Sequence, residues 1–364
     1  MRWTMSEAMT AIEHEWAERV RAAVADKRAL CLRAGGTKDF YGRAPAGERF
    51  DLRANAGVVS YEPTELVVTV RGGTPLAELE ALLAGQNQFL ACEPPHFGAA
   101  ATVGGAVAAG LAGPRRASAG AVRDFVLGVK ILDGRGEVLN FGGRVMKNVA
   151  GYDLSRLIAG SLGTLGILLE VSLKVLPRPV AERTLRFALD EADALARINE
   201  WGGQPLPLSA SWWCEGGLHL RLSGAEAAVR AAAGRLGGET VDAAAAAALW
   251  QDVREQRAGP FRLAAGETLW RLALPSTAPA LALPGRQLIE WGGGLRWLAG
   301  TPEPAAVHAR AAALGGHATC FRGGDRGGAV FQPLSAPLAV IHRRLKHAFD
   351  PAGVFNPGRF YEDF

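Results

Sequence analysis

Apolar residues recur on a helical period between positions 6 and 28 (SEAMTAIEHEWAERVRAAVADKR), with charges of both signs between them, and predict an amphipathic helix. A short apolar run at 29–34 predicts a strand feeding a glycine turn at 33–42 (RAGGTKDFYG). Residues 66–71 (LVVTVR) read as another strand. Thr74 then opens a helix (TPLAELEALLA), with Pro75 at its first position and Glu78 placed to complete a capping box. Residues 124–133 (DFVLGVKILD) and 137–141 (EVLNF) form a hairpin pattern turned by Gly134-Arg135-Gly136. Residues 153–162 (DLSRLIAGSL) read as helix, and 165–176 (LGILLEVSLKVL) as a long strand stopped by Pro177-Arg178-Pro179.

Beyond those prolines the pattern changes. Residues 213–238 and 291–316 each hold a Trp-bearing strand, a glycine turn, a second strand and an Ala-rich helix ending in Gly-Gly. Another strand precedes each (184–189 and 268–274), which predicts a duplicated strand-strand-helix unit. The expected organisation is a first domain at 1–178 in two subdomains meeting near residue 93, a smaller second domain at 179–332, and a C-terminal segment at 333–364. The fold class expected is α+β. In the last segment 334–349 reads as helix, whose cluster HRRLKH (342–347) reads as a solvated face.

One stretch fits none of these periods. From Gly98 to Gly113 twelve of sixteen residues are Gly or Ala, without a charge. A spanning helix needs about 20 strongly apolar residues, and this run is shorter and holds five glycines. No N-terminal signal pattern is visible, so a cytoplasmic protein is expected. The formal net charge of +4 is too small to argue for nucleic acid. Cys31, Cys92, Cys214 and Cys320 lie far apart, unlike the ligands of an iron–sulfur cluster or a disulfide framework, and read as reduced thiols.

The glycine segments carry the candidate chemistry. RAGGT comes off a strand, so its amides can converge on an anion, or it is an ordinary loop. Thr102 with Gly104-Gly105 offers a hydroxyl, free amides and a helix start suited to phosphate, or a close-packed small-residue helix. Residues 160–166 (GSLGTLG) follow a helix and lead into a strand, the reverse of a Rossmann turn.

In order, spacing and context the three segments resemble the FAD-binding domain of the vanillyl-alcohol oxidase and p-cresol methylhydroxylase relatives. The stretch VLGVKILDGRGEVLNFGGRVMKNVAGYDLSRLIAGSLGTLGILLEVSLKVLPRP, with FDPAGVFNPGR near the C-terminus, is similar to the FAD-binding E subunits of bacterial glycolate oxidases. The similarity covers the first 180 residues well and the last thirty adequately; the middle domain matches in pattern only. The resemblance implies that Arg33, Gly35, Gly36, Thr37 and Lys38, with Thr102, Gly104 and Gly105, hold the FAD pyrophosphate. Ser118, Gly120 and Ala121 follow, and Gly163, Gly166 and Ile167 run beside the flavin. The C-terminal segment would return to the FAD domain.

Three departures qualify this. Flavin-tethering members carry His where this chain has Thr37, so the resemblance implies noncovalent FAD. Of the His-Gly-Asp-Gly-Asn-x-His type segment that serves unaided D-2-hydroxy acid oxidation, residues 316–332 keep only His317 and Asp325. The cap is also short. No metal site is expected and no catalytic residue is assigned. His96, Lys147, Tyr152, Arg123 and Arg359 are candidates to approach the ring or a substrate carboxylate, and each also reads as an ordinary structural or surface residue.

Three functions remain in competition. The first is a subunit oxidising glycolate, a small 2-hydroxy acid, to glyoxylate beside a sister FAD-binding catalytic subunit and an iron–sulfur subunit. The others are a self-sufficient FAD-dependent dehydrogenase for a small alcohol or D-2-hydroxy acid, and a non-catalytic FAD-binding scaffold. Any contact with the inner face of the membrane is expected through partners alone. Trp212, Trp213, Trp291 and Trp297 read either as interface aromatics or as cap core.

Overall fold

The computed structural model describes residues 9–143, 153–257 and 259–363. Its first helix, Ala11–Ala25, begins with a capping box between Thr10 and Glu13. One face buries Trp16, Val20 and Ala23 against Phe50, Leu132 and Val354. Glu13 is also buried, and Lys130 neutralises it at 2.7 Å, as a carboxylate removed from water requires. Strand Leu30–Arg33 pairs in parallel with Glu48–Asp51.

A five-stranded antiparallel sheet follows, in the spatial order Val58–Glu62, Val67–Arg71, Ile167–Lys174, Val126–Leu132, Val138–Gly142. Its central strand, Ile167–Lys174, reads ILLEVSLK and feeds two cores, Leu168, Val171 and Leu173 one, Ile167 and Leu169 the other, the alternation broken by a register shift between Leu168 and Glu170. Helices Leu76–Ala84 and Val103–Ala109 cover the first of these faces.

Strands between residues 181 and 322 form a separate eight-stranded sheet. In its first half, Ala181–Ala188, Leu208–Cys214, Gly217–Gly224 and Glu239–Thr240 stand in the spatial order fourth, first, third, second. The second half repeats that order in mirror sequence with Thr268–Ala273, Arg286–Glu290, Leu295–Gly300 and His317–Arg322. The halves join edge to edge where Leu208–Cys214 runs antiparallel to Arg286–Glu290. Helix Glu191–Gly202 links the first two strands of the first half. The equivalent link in the second half, 274–285, carries Pro275, Pro279 and Pro284 and forms no helix.

Several elements differ from the sequence reading. Thr74 does not cap the second helix. Its hydroxyl is engaged by Gly57 and the Arg71 carbonyl, and the Leu76 amide reaches Ala101 O instead. Residues 153–162 hold only a 3₁₀ turn, Ser155–Leu157. There the amides of Gly160 and Leu162 leave the local turn for the carbonyls of Val107 and Ala108. Lys346, within the basic cluster taken for a solvated face, is buried: its ammonium donates to Asp350 (2.6 Å), Thr164 O and Phe355 O. Trp212, Trp213, Trp291 and Trp297 are all buried within the chain.

Candidate functional site: a glycine-lined cleft

The strand Leu30–Arg33 delivers the chain into the first glycine turn at the mouth of a cleft. The amides of Gly35, Gly36, Thr37 and Lys38 donate to no described protein acceptor, while those of Asp39 and Tyr41 close the turn on Gly36 and Lys38. Consecutive free amides around a residue of positive φ (Gly36, 70°) make a concavity of the kind that binds anions. Arg33 is held in place by Asp39, Nε to Oδ2 2.5 Å.

Across the cleft stand Thr102, Gly105, Ala108 and Ala109, with Leu162, Asn356 and Arg359 closing the end. Past Gly105 and Ala108 the cleft continues between Gly104, Gly163, Gly166 and Leu168. The small residues have different causes. A Cβ on Gly105 would meet only Thr102 Oγ1 (3.1 Å) and otherwise enter the open cleft. One on Gly104 would strike the Gly72 carbonyl oxygen at 2.7 Å, and one on Gly35 the Ala100 oxygen at 1.6 Å. Gly105 keeps the cleft open, whereas Gly104 and Gly35 let the chain pack upon itself.

The helix start at Thr102 is not the row of free amides expected from sequence. Val103 N donates to Thr74 O, Gly104 N to Gly72 O and Gly105 N to Thr102 Oγ1. The seven-residue helix Val103–Ala109 thus gives the cleft small side chains and the Thr102 hydroxyl, while free amides come from the first turn.

Positive charge comes from Lys38. Its ammonium donates to His96 O at 3.2 Å and lies 5.6 Å from the Phe97 ring centroid. Burial pushes its pKa down to about 8, with Glu255 opposing the fall. Glu255, on the cap side, accepts the amides of His96 and Phe97 (2.8 Å for Phe97) and so fixes the turn that holds Lys38. The C-terminal motif closes the frame. Asn356 accepts from Leu32 N and donates to Leu162 O, each at 2.7 Å; Arg359 donates to the carbonyls of Asp39, Tyr41 and Arg43.

The fold therefore gathers Arg33, Gly35, Gly36, Thr37, Lys38, Thr102, Gly104, Gly105, Gly163 and Gly166 around one continuous cleft. It places four other candidates elsewhere. Ser118 bonds the Ser209 carbonyl of the cap sheet at 3.0 Å, and Gly120 and Ala121 turn against Asp124. Ile167 is fully buried in the core with Trp16 and Phe50. His96 bonds Glu80 at 3.1 Å, Arg123 is exposed beside Asp124, and Lys147 and Tyr152 lie outside the described residues. Asn356, Leu162 and Glu255 were missed: the motif FNPG marks a turn, but nothing in sequence says what its Asn reaches across 324 positions. Among the described residues no three His, Cys, Asp or Glu side chains gather as metal ligands, and no helix is long and apolar enough to cross a membrane.

Residues 10–142 match the family described as FAD binding domain. The glycolate oxidase subunit GlcE of Escherichia coli (strain K12) is 52% identical over 346 residues, covering 95% of this chain and 96% of that protein. The glycolate oxidase subunit GlcD of Bacillus subtilis (strain 168) is 31% identical over 140 residues, 38% of this chain and 30% of that protein. A solved alkyldihydroxyacetonephosphate synthase superposes with a TM-score of 0.65 at 17% identity, covering 94% of this chain and 74% of that one, a likeness of fold alone.

Fold and cleft thus define the class, a protein built on an FAD-binding domain with a separate cap sheet. Within it, the chain belongs to the family of the glycolate oxidase subunit GlcE. The residues present fit the cofactor: four free amides, a buried ammonium and the open side of Gly105 suit a pyrophosphate with no side chain in its way.

Proposed function

We propose that this chain is the FAD-binding subunit of a glycolate oxidase and that it oxidises glycolate to glyoxylate within a complex. The observation carrying this reading is 52% identity to a glycolate oxidase subunit along almost the whole of both chains, cap included. The bound flavin supplies a two-electron acceptor for the hydride of the substrate carbinol carbon. The chain's own part is to hold it. The amides of 35–38, Arg33, Lys38 and Thr102 grip the pyrophosphate, Gly105 leaves it room, and Gly163 and Gly166 flank its other end. Thr37 offers no imidazole for a covalent tether, so the flavin is held noncovalently. A sister flavoprotein subunit and an iron–sulfur subunit complete the enzyme, because Cys31, Cys92, Cys214 and Cys320 are free and dispersed and provide no single-electron carrier. Any association with the membrane runs through those partners.

The test is to co-express the chain with its partners, purify the complex and add glycolate anaerobically. Flavin bleaching with stoichiometric glyoxylate is expected, and acid precipitation should leave the FAD in the supernatant. A complete complex whose flavins stay oxidised in glycolate would overturn the assigned reaction; full turnover by the lone chain would overturn the subunit assignment.

A further inference from the structure

The cap sheet turns one face toward the FAD-binding region, and most of that face is apolar: Trp212, Leu269, Leu288, Trp297 and Phe321 meet Ala109, Leu111 and Leu162 in one cluster. Within it sit two half-buried arginines that differ from the other arginines withdrawn from solvent. Arg115, Arg221, Arg254 and Arg359 are held by carboxylates or carbonyls. Arg116, from the FAD-binding region, and Arg271, from the cap strand Thr268–Ala273, form no ion pair or side-chain hydrogen bond among the described residues. Both lie against Trp291, their guanidinium carbons 4.5 Å and 5.1 Å from its ring centroid. The two charges are therefore within about 10 Å of each other. Trp291 is fixed by its indole N–H, which donates to Gly113 O at 3.0 Å.

Like charges drawn together in a partly desolvated place raise the free energy of both, and an indole face offsets only part of it. Burial, the Arg271 charge and the Arg123 charge hold Arg116 below the usual arginine range, with Asp124 opposing the fall. No carboxylate among the described residues comes within ion-pair distance of either guanidinium. Beside it stands Glu290, buried, one oxygen accepting from Trp297 Nε1 at 2.7 Å. Burial pushes Glu290 up to about 7, with Trp297 and Arg271 opposing and Glu93 adding to the rise. The carboxyl next to the arginines is therefore substantially uncharged at neutral pH and is not a full counter-ion to them.

We propose that Arg116 and Arg271, converging on Trp291 from the two parts of the chain, bind the carboxylate of a small 2-hydroxy acid, with Glu290 as the hydrogen-bond partner of its hydroxyl. This deepens the function proposed above and rests on it for the identity of the acid. Trp291 belongs to the same apolar cluster as Ala109 and Leu162, which line the cofactor cleft.

The experiment uses the FAD-loaded full chain and the co-expressed complex, with oxalate, a redox-inert two-carbon acid, as the probe. Oxalate titration, followed by calorimetry and by the flavin difference spectrum, should saturate at one site per chain. Arg116→Gln and Arg271→Gln should each weaken it about tenfold or more, the worth of one charge-assisted contact. Arg271→Lys should recover part of the loss, and Arg230→Gln, altering an exposed arginine paired with Glu226, should change nothing. Flavin content and melting temperature are expected to stay as in the parent. Unchanged oxalate affinity in both glutamine variants would overturn the site, as would the absence of saturable binding in chain and complex alike. Tight oxalate binding by a complex that glycolate cannot reduce would sink the assigned reaction and leave the site standing. Normal glycolate KM in both variants would do the opposite.

Discussion

The cofactor cleft and the cap face beside it solve opposite problems. The cleft is built from what is missing: free amides at 35–38, an absent Cβ at Gly105, small residues along Val103–Ala109. The cap face is built from large side chains, with Trp297 edge to face on Phe261 and Phe321, Phe321 edge to face on Phe40, and Trp212 tilted against Phe261. A backbone-lined site tolerates no additions, and a side-chain-lined one tolerates no deletions. The asymmetry can be tested.

The largest effect should come from deletion on the cap side. Trp297→Ala removes a buried indole and its bond to Glu290, and should cost about 3–5 kcal/mol of stability in denaturant titration. A cost below about 1 kcal/mol would mean that the cap core is far looser than its geometry. Addition on the cleft side comes next. Gly105→Val should lower FAD affinity about 100-fold, because its methyls enter the cofactor's volume, while circular dichroism stays unchanged. Gly104→Val is the contrast: its Cβ meets Gly72 backbone, so it should lower the melting temperature even without flavin. Equal behaviour of the two would erase the distinction drawn between these neighbours.

Charge separates the regions further. The folded pKa of Glu290 stands above its unfolded value of 4.5, so its protonated form supports the fold at low pH. That contribution is lost progressively from pH 4.5 to about 7 and stays lost above. Glu290→Gln does not titrate, so it should gain about 2 to 6 °C in melting temperature over the parent above pH 7 and nothing near pH 4. In the cleft burial acts on a cation and lowers its pKa instead, and what titrates is cofactor affinity. Lys38 without cofactor loses its proton near 8, and a bound pyrophosphate raises that value. FAD affinity should be flat below pH 8 and then fall by up to about tenfold per pH unit, a fall that Lys38→Met abolishes.

The same contrast decides what sequence could show. The first glycine segment was legible as a turn because it leaves a strand, though alone it read equally as an ordinary loop, and the hairpin Val126–Leu132 with Val138–Gly142 because its turn is local. The helix expected over 153–162 failed because its amides were claimed by Val107 and Ala108, partners invisible to a local period. Lys346 read as solvated because nothing nearby announces that Asp350, Thr164 O and Phe355 O enclose it. Arg116 and Arg271 carry no signal at all. Each is an unremarkable arginine until a β-sheet 150 positions later turns one toward the other.

The position of Asn356 sets a schedule. It joins strand Leu30–Arg33 to Leu162 across 324 and 194 positions, so neither bond can form until residue 356 has left the ribosome. At about 5–20 residues per second, the first glycine turn waits roughly 16 to 65 s for the residue that anchors it. The cofactor cleft is thus framed only after the whole cap sheet, residues 181–322, has been made.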